Sequence, residues 1–152
     1  MYRYSALLIA LLMTRSVAHA QEKKIKRAEL PAAVEKTVAQ QIKNATVQGF
    51  STEIEKGKKL YEVEFMVDGH SKDISMDGQG NIVEVEEEVS MKSLPQSVKD
   101  GLIGAAGTAT IGKIESLTKN GKLVAYEAVV KTGTKRSEIQ VGPDGKKLAH
   151  PE

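Results

Sequence analysis

Five glutamates come closest to a functional constellation in this chain. Glu62 and Glu64 sit in one alternating segment, and Glu84, Glu86 and Glu88 in another. If both segments are β-strands, period-2 alternation places all five on one face of a sheet. Such a face can dock a basic protein partner or hold a divalent cation weakly, or it can simply keep a sheet solvated. Carboxylates directly opposed across strands repel by a fraction of a kcal/mol each.

No reactive group accompanies them. His19 lies in the N-terminal apolar segment, His150 in the terminal tail, and His70 directly after Asp68-Gly69, where a polar residue needs no functional role. Cysteine is absent, and there is no G-x-S-x-G elbow, no H-E-x-x-H and no P-loop. Asp77-Gly78-Gln79-Gly80-Asn81 looks like the start of a calcium loop, with Glu88 at the twelfth position. However, Gln79 replaces the acidic third ligand, and Ile82 stands where an EF-hand needs glycine. A hairpin turn is expected there. The expectation is a non-enzyme without catalytic residues, cofactor or metal ligands, with Glu62, Glu64, Glu84, Glu86 and Glu88 as the partner-binding residues.

The segments before and between these glutamates define the elements that position them. Residues 1–20 read as an export signal: Arg3 precedes the apolar run Ala6 to Met13, and Ala18-His19-Ala20 gives a small-x-small cut before Gln21. The apolar run is shorter than the roughly 20 residues of a membrane span. Arg3 and Arg15 are the only charged residues of this segment, so its removal leaves 20 Lys and Arg against 20 Asp and Glu. A chain so balanced has no field to attract nucleic acid. A periplasmic or secreted location is expected, with no stable membrane insertion. Without disulfides or tryptophan, the core must be built mainly from Val, Ile, Leu and Ala.

Residues 21–29 read as a polar, solvated leader rich in lysine. Leu30-Pro31 opens a helix, proline being well placed where its missing N–H would be unpaired anyway. Leu30, Val34, Val38 and Ile42 form its apolar stripe. Four strands follow: Val47 to Ile54 with a bulge at Gly49, Leu60 to Val67, Lys72 to Met76, and Ile82 to Glu88. Tyr61, Val63, Phe65, Ile74, Met76, Val83 and Val85 are expected to face inward, and Ile82 outward with the glutamates.

The pattern restarts after Ser93. At an offset of 64, Leu94-Pro95 matches Leu30-Pro31, Val98 matches Val34, Leu102 matches Val38, and Gly121-Lys122 matches Gly57-Lys58. One inserted residue, placed in the turn after Lys122, brings Tyr126-Glu127 onto Tyr61-Glu62 and Gly145 onto Gly80. The expected fold is α+β, two tandem repeats of one helix followed by a four-stranded antiparallel sheet. Together they would form one continuous sheet with both helices on one face. The expected boundaries are residues 30–89 and 94–148, with a tail at 149–152. The second copy's equivalent face carries Glu127, Val129, Lys131, Glu138 and Gln140, with Lys135 and Arg136 near the turn, so the sheet is expected to be acidic at one end and mixed at the other.

The order of an LPxxV helix (Leu30 to Val34), a YEVEF strand (Tyr61 to Phe65) and the run Asp77 to Glu86 resembles the PepSY-like domains of exported bacterial proteins. The pair of copies is similar to beta-lactamase inhibitor proteins, in which two such units form a continuous sheet. The resemblance implies no catalytic residues. It implies a binding protein, inhibitor-like or modulatory towards an envelope or secreted protein such as a peptidase. The runner-up is a low-affinity divalent-cation-binding or stress-sensing envelope protein that uses the acidic face.

Overall fold

The structure, a computed structural model, describes residues 22–152. The expected export signal and its cut lie outside the described residues. Eight strands form one antiparallel sheet in sequence order: β1 (Lys23–Lys24), β2 (Thr46–Glu55), β3 (Lys58–Val67), β4 (His70–Met76), β5 (Ile82–Glu88), β6 (Thr110–Lys119), β7 (Lys122–Thr132) and β8 (Lys135–Val141). Helix α1 (Ala32–Gln41) lies between β1 and β2 in the chain, and α2 (Gln96–Ala106) between β5 and β6. The tight turns are Lys56-Gly57, Asp68-Gly69 and Asn120-Gly121, each with positive φ at both positions. That geometry matches the right-handed twist of the strands it joins.

Two apolar clusters hold the helices on the sheet. Val34 and Val38 of α1 pack on Val63, Phe65, Ile74 and Met76. Val98 and Leu102 of α2 pack on Ile114, Ala128 and Val141. Across the β5–β6 joint Val85 pairs with Thr118, and Glu86 with Leu117. Because paired residues share a face, the even-numbered residues from Ile114 to Thr118 lie on the side of Val85, and both helices cover that side. The opposite face carries no helix.

A turn is seated on each helix by a glycine. Gly80 (φ 78°) approaches Ala33 so closely that an added Cβ would lie 2.5 Å from its carbonyl oxygen, and the Thr37 hydroxyl donates to Gly80 O at 2.8 Å. Gly145 (φ 80°) meets α2 more tightly, its hypothetical Cβ falling 2.0 Å from Ser97 O. Gly101 stands in α2 because a side chain there would strike Gly145 O, also at 2.0 Å. Its helix-propensity cost of up to about 1 kcal/mol is therefore spent on close packing. Gly107 (φ 57°) ends α2 in a conformation that favours glycine.

Four expectations are corrected. The leader is not solvated throughout: Lys23 and Lys24 pair with Thr52 and Ser51 as an edge strand, and Ile25 N donates to Phe50 O at 3.0 Å. Backbone hydrogen bonds to β2 hold it, and these leave no mark in side-chain periodicity. The second helix is followed by three strands rather than four, because after the Pro143-Asp144-Gly145 turn only the bridge between Val141 and Lys147 remains. The inserted residue is not in the turn: Thr118 pairs with Leu123 and Leu117 with Ala125, so Val124 forms a bulge within β7.

β5 departs from strict alternation as well. A register shift between Ser75 and Met76 pairs them with Glu84 and Ile82, leaving Val83 unpaired. Ile82 joins Val85 in the core cluster, while Val83 lines a shallow depression on the uncovered face with Leu60, Glu84 and Lys119. Strict alternation fails at a bulge because one extra residue reverses the facing of everything before it. Ile82→Thr is accordingly expected to destabilise by about 1–2 kcal/mol and Val83→Thr by under about 0.5 kcal/mol in urea unfolding. The reverse ranking would restore unbroken alternation.

Candidate functional site

The register places all five glutamates on the uncovered face. Glu62 and Glu84 flank Ser75 in one cross-strand row, and Glu64 and Glu86 flank Asp73 in the next. Glu88 pairs with Glu115, which pairs with Glu127, which pairs with Gln140. Three carboxylates beyond the five, Asp73, Glu115 and Glu127, therefore belong to the same surface. Asp73 was legible, since alternation about Ile74 already sends it to this side. Glu115 had no such signal, because β6 lacks clean alternation and is bulged between Ile111 and Ile114.

Part of this charge is compensated locally. Lys119 Nζ lies 3.3 Å from Glu84 Oε2, and Lys113 Nζ lies 2.7 Å from Glu115 Oε1. Glu88 accepts from Ser71 N at 3.1 Å and Ser71 Oγ at 3.2 Å. Glu127 accepts from Gln140 Nε2 at 2.7 Å. Among the described residues, Glu62, Glu64, Asp73 and Glu86 have no ion-pair or hydrogen-bond partner of this kind. They form one contiguous patch across β3, β4 and β5.

Half-burial without countercharge shifts the protonation of Glu62, Asp73 and Glu86. Glu86 is pushed up to about 8, first by desolvation and then by Glu84, Glu115, Glu127 and Asp73. Glu62 rises to about 7, through desolvation and then Asp73. Asp73 rises to about 6, through desolvation and then Glu115. Glu53 and Glu127 move upward for the same leading reason. An uncompensated, partly desolvated carboxylate favours its neutral form. Near neutral pH the patch therefore holds protons that a cationic group could displace.

The helix-covered face differs. His70 Nε2 lies 3.0 Å from Glu87 Oε1, and Lys72 Nζ lies 2.8 Å from Glu87 Oε2. Burial alone would raise the Glu87 carboxyl, but the hydrogen bonds from Lys72 and His70 outweigh it and hold the group below its ordinary value. His70 thus has a structural partner. The Asp77 turn is likewise committed internally: Asp77 Oδ1 accepts from Gln79 N and Asn81 N, and Oδ2 accepts from Asn81 Nδ2 at 2.9 Å. Hydrogen bonds from the Asn81 side chain and backbone lower the Asp77 carboxyl. Its oxygens serve the hairpin rather than an ion.

Among the described residues, no helix is long and apolar enough to cross a membrane. No protein-family model matches the chain, and no curated protein matches it. Solved structures do. A BLIP-like protein from Bacteroides fragilis NCTC 9343 shares 22% identity over 76% of this chain and 81% of its own, with a TM-score of 0.56. A DUF2874 family protein from Bacteroides ovatus ATCC 8483 shares 16% identity over 78% and 84%, at 0.60. A candidate periplasmic protein from Bacteroides eggerthii DSM 20697 shares 13% identity over 78% and 86%, at 0.64. The chain has the fold of these proteins, two helices on an open antiparallel sheet, and the similarity to beta-lactamase-inhibitor-like proteins noted in its residues extends to three dimensions.

Proposed function

We propose that this chain is a non-catalytic exported protein that binds, and inhibits or modulates, an envelope or secreted protein through the uncovered face of its sheet. A peptidase is one target class that the reading accommodates. The carrying observation is the patch of Glu62, Glu64, Asp73 and Glu86: half-buried, uncompensated, and left open while both helices cover the other face. Charge complementarity then favours a partner surface bearing lysine or arginine. The BLIP-like and candidate periplasmic fold neighbours support an exported binding role. The halves 30–89 and 94–148 are best read as two copies of one unit, a reading supported by the equivalent seats of Gly80 on α1 and Gly145 on α2.

Affinity capture from the host envelope fraction tests this, using wild type beside a Glu62→Gln, Glu64→Gln, Asp73→Asn, Glu86→Gln variant. The expected result is a protein retained by wild type and weakened at least about tenfold by the variant, as measured on the purified pair. Losing several charge contacts of about 0.5 kcal/mol or more each suffices for that change. Equal affinity for both forms would sink the proposal.

A further inference from the structure

We propose that β8 is a dimerisation edge: it pairs antiparallel with β8 of a second copy of this chain and joins the two sheets into one. The two ends of the sheet differ. At one end β1 is only two residues long, and Ile25 N adds one more bond to β2. At the other, β8 runs seven residues, Lys135–Val141, and is paired along its length only with β7. By contrast β4, the third strand after α1 as β8 is after α2, has strands on both sides. The chain itself covers only the last part of the β8 edge, where Lys147 bridges Val141 and Glu152 N donates to Gln140 Oε1 at 2.8 Å. Lys135, Arg136, Ser137 and Glu138 are exposed. An edge left open in this way is a template for another strand.

A second copy is the strand that fits, because the edge is self-complementary. Arg136 and Glu138 lie on the uncovered side, paired within the sheet to Lys131 and Val129. Among the described residues neither has an ion-pair partner. A twofold axis through Ser137 sets Arg136 of each copy opposite Glu138 of the other and makes that contact twice. Paired residues must point the same way, so the neighbouring registers oppose Arg136 to Arg136 or Glu138 to Glu138, and like charges so placed repel. Lys135 and Arg136, which guard the edge against unrelated strands, thus select one register. The tail selects it too. Pairing then ends with Lys135 opposite Ile139, and the Gly133-Thr134 turn of the second copy arrives beside Gln140. There a groove of about 360 Å³ opens, lined by Glu138, Ile139, Gln140, Lys147, Leu148 and Pro151. Sliding on until Glu138 meets Glu138 would drive that turn into the bridge between Val141 and Lys147. So short a pairing buries less than the roughly 1,200 Å² of a stable interface, and the dimer is expected to be weak and concentration-dependent.

Cysteine cross-linking tests the register, since the chain has no cysteine of its own. In Ser137→Cys the two sulfurs meet at the axis, where paired Cα atoms stand about 4.5–5.5 Å apart and a disulfide can close. In Lys135→Cys the equivalent Cα atoms lie roughly 13 Å apart, beyond the limit of about 7 Å. Mild oxidation should convert most of Ser137→Cys to a dimer and little of Lys135→Cys. Sedimentation of wild type between about 10 μM and 1 mM should show a reversible dimer. Arg136→Glu and Glu138→Arg should each weaken it about tenfold, as two attractive contacts become repulsive, and the double variant should restore it. These side chains are exposed, so Tm at low protein concentration should not change. A wild type still monomeric at the highest concentration would overturn the proposal. So would single-charge variants that dimerise like wild type, or equal cross-linking of the two cysteines. The pairing leaves β3, β4 and β5 open, and capture of a protein partner is measured where the chain is monomeric, so neither proposal falls with the other.

Discussion

Gly145→Ala is expected to destabilise the protein by about 3 kcal/mol or more, whereas Gly57→Ala should cost only about 1 kcal/mol. The two glycines have nearly the same backbone conformation, φ 80° and 79°. Strain from placing a Cβ in the left-handed region is therefore common to both and cancels in the comparison. What differs is the space around them. A Cβ on Gly57 meets nothing within 4 Å, while one on Gly145 would fall 2.0 Å from Ser97 O and 2.9 Å from Val98 N. Both contacts are helix backbone, which cannot rotate away as a side-chain tip can. To accept the methyl, the turn must lift off α2, exposing Val141, Val98 and Leu102. Urea unfolding of the two variants at one pH measures the difference. Equal losses would show that the turn is not seated on α2.

Stability should fall as pH rises from about 5 to about 8.5, by on the order of 3 kcal/mol, and Glu86→Gln should remove much of that slope. Glu86, Glu62 and Asp73 have folded-state values of about 8, 7 and 6, all above their ordinary carboxylate values. The folded protein therefore holds protons that the unfolded chain has already released. The stabilisation they give is complete below about pH 4 and is lost as pH climbs through the folded values. A tenfold difference in proton affinity between the folded and unfolded chain is worth about 1.4 kcal/mol. The groups titrate as a coupled set, so their separate contributions do not add. Glu87 works in the opposite direction, its lowered value giving stability that is lost on acidification. The optimum should then lie at mildly acidic pH. Glutamine at position 86 is neutral throughout and should make the protein more stable than wild type at pH 8.5, by about 1–3 kcal/mol. Unfolding with chelator present decides the matter: a flat or rising profile between pH 5 and 8.5 would mean that the acidic face is fully solvated.

The core was legible because it is local. Val34, Val38, Val63, Phe65, Ile74 and Met76 were each given by period, 3.6 in the helix and 2 in the strands, and all six are buried. The Asp68-Gly69 and Gly121 turns were legible for a related reason: their positive φ values demand residue types that a reader can see. Ile82 and Val83 were misplaced because a bulge depends on how two strands meet, and neither strand records it alone. β1 went unrecognised because a two-residue edge strand is held by backbone hydrogen bonds, to which side chains contribute no pattern.

The acidic surface shows the same division. By itself the sequence determined that Glu62, Glu64, Glu84, Glu86 and Glu88 share a face, since alternation within a strand is a property of the pleat. Tertiary structure decided which carboxylates are compensated across strands, because Lys119 reaches Glu84 from β6 and Gln140 reaches Glu127 from β8. It likewise decided that Asp73, Glu86 and Glu115 converge, a meeting set by cross-strand register and by the burial that keeps Glu115 from water.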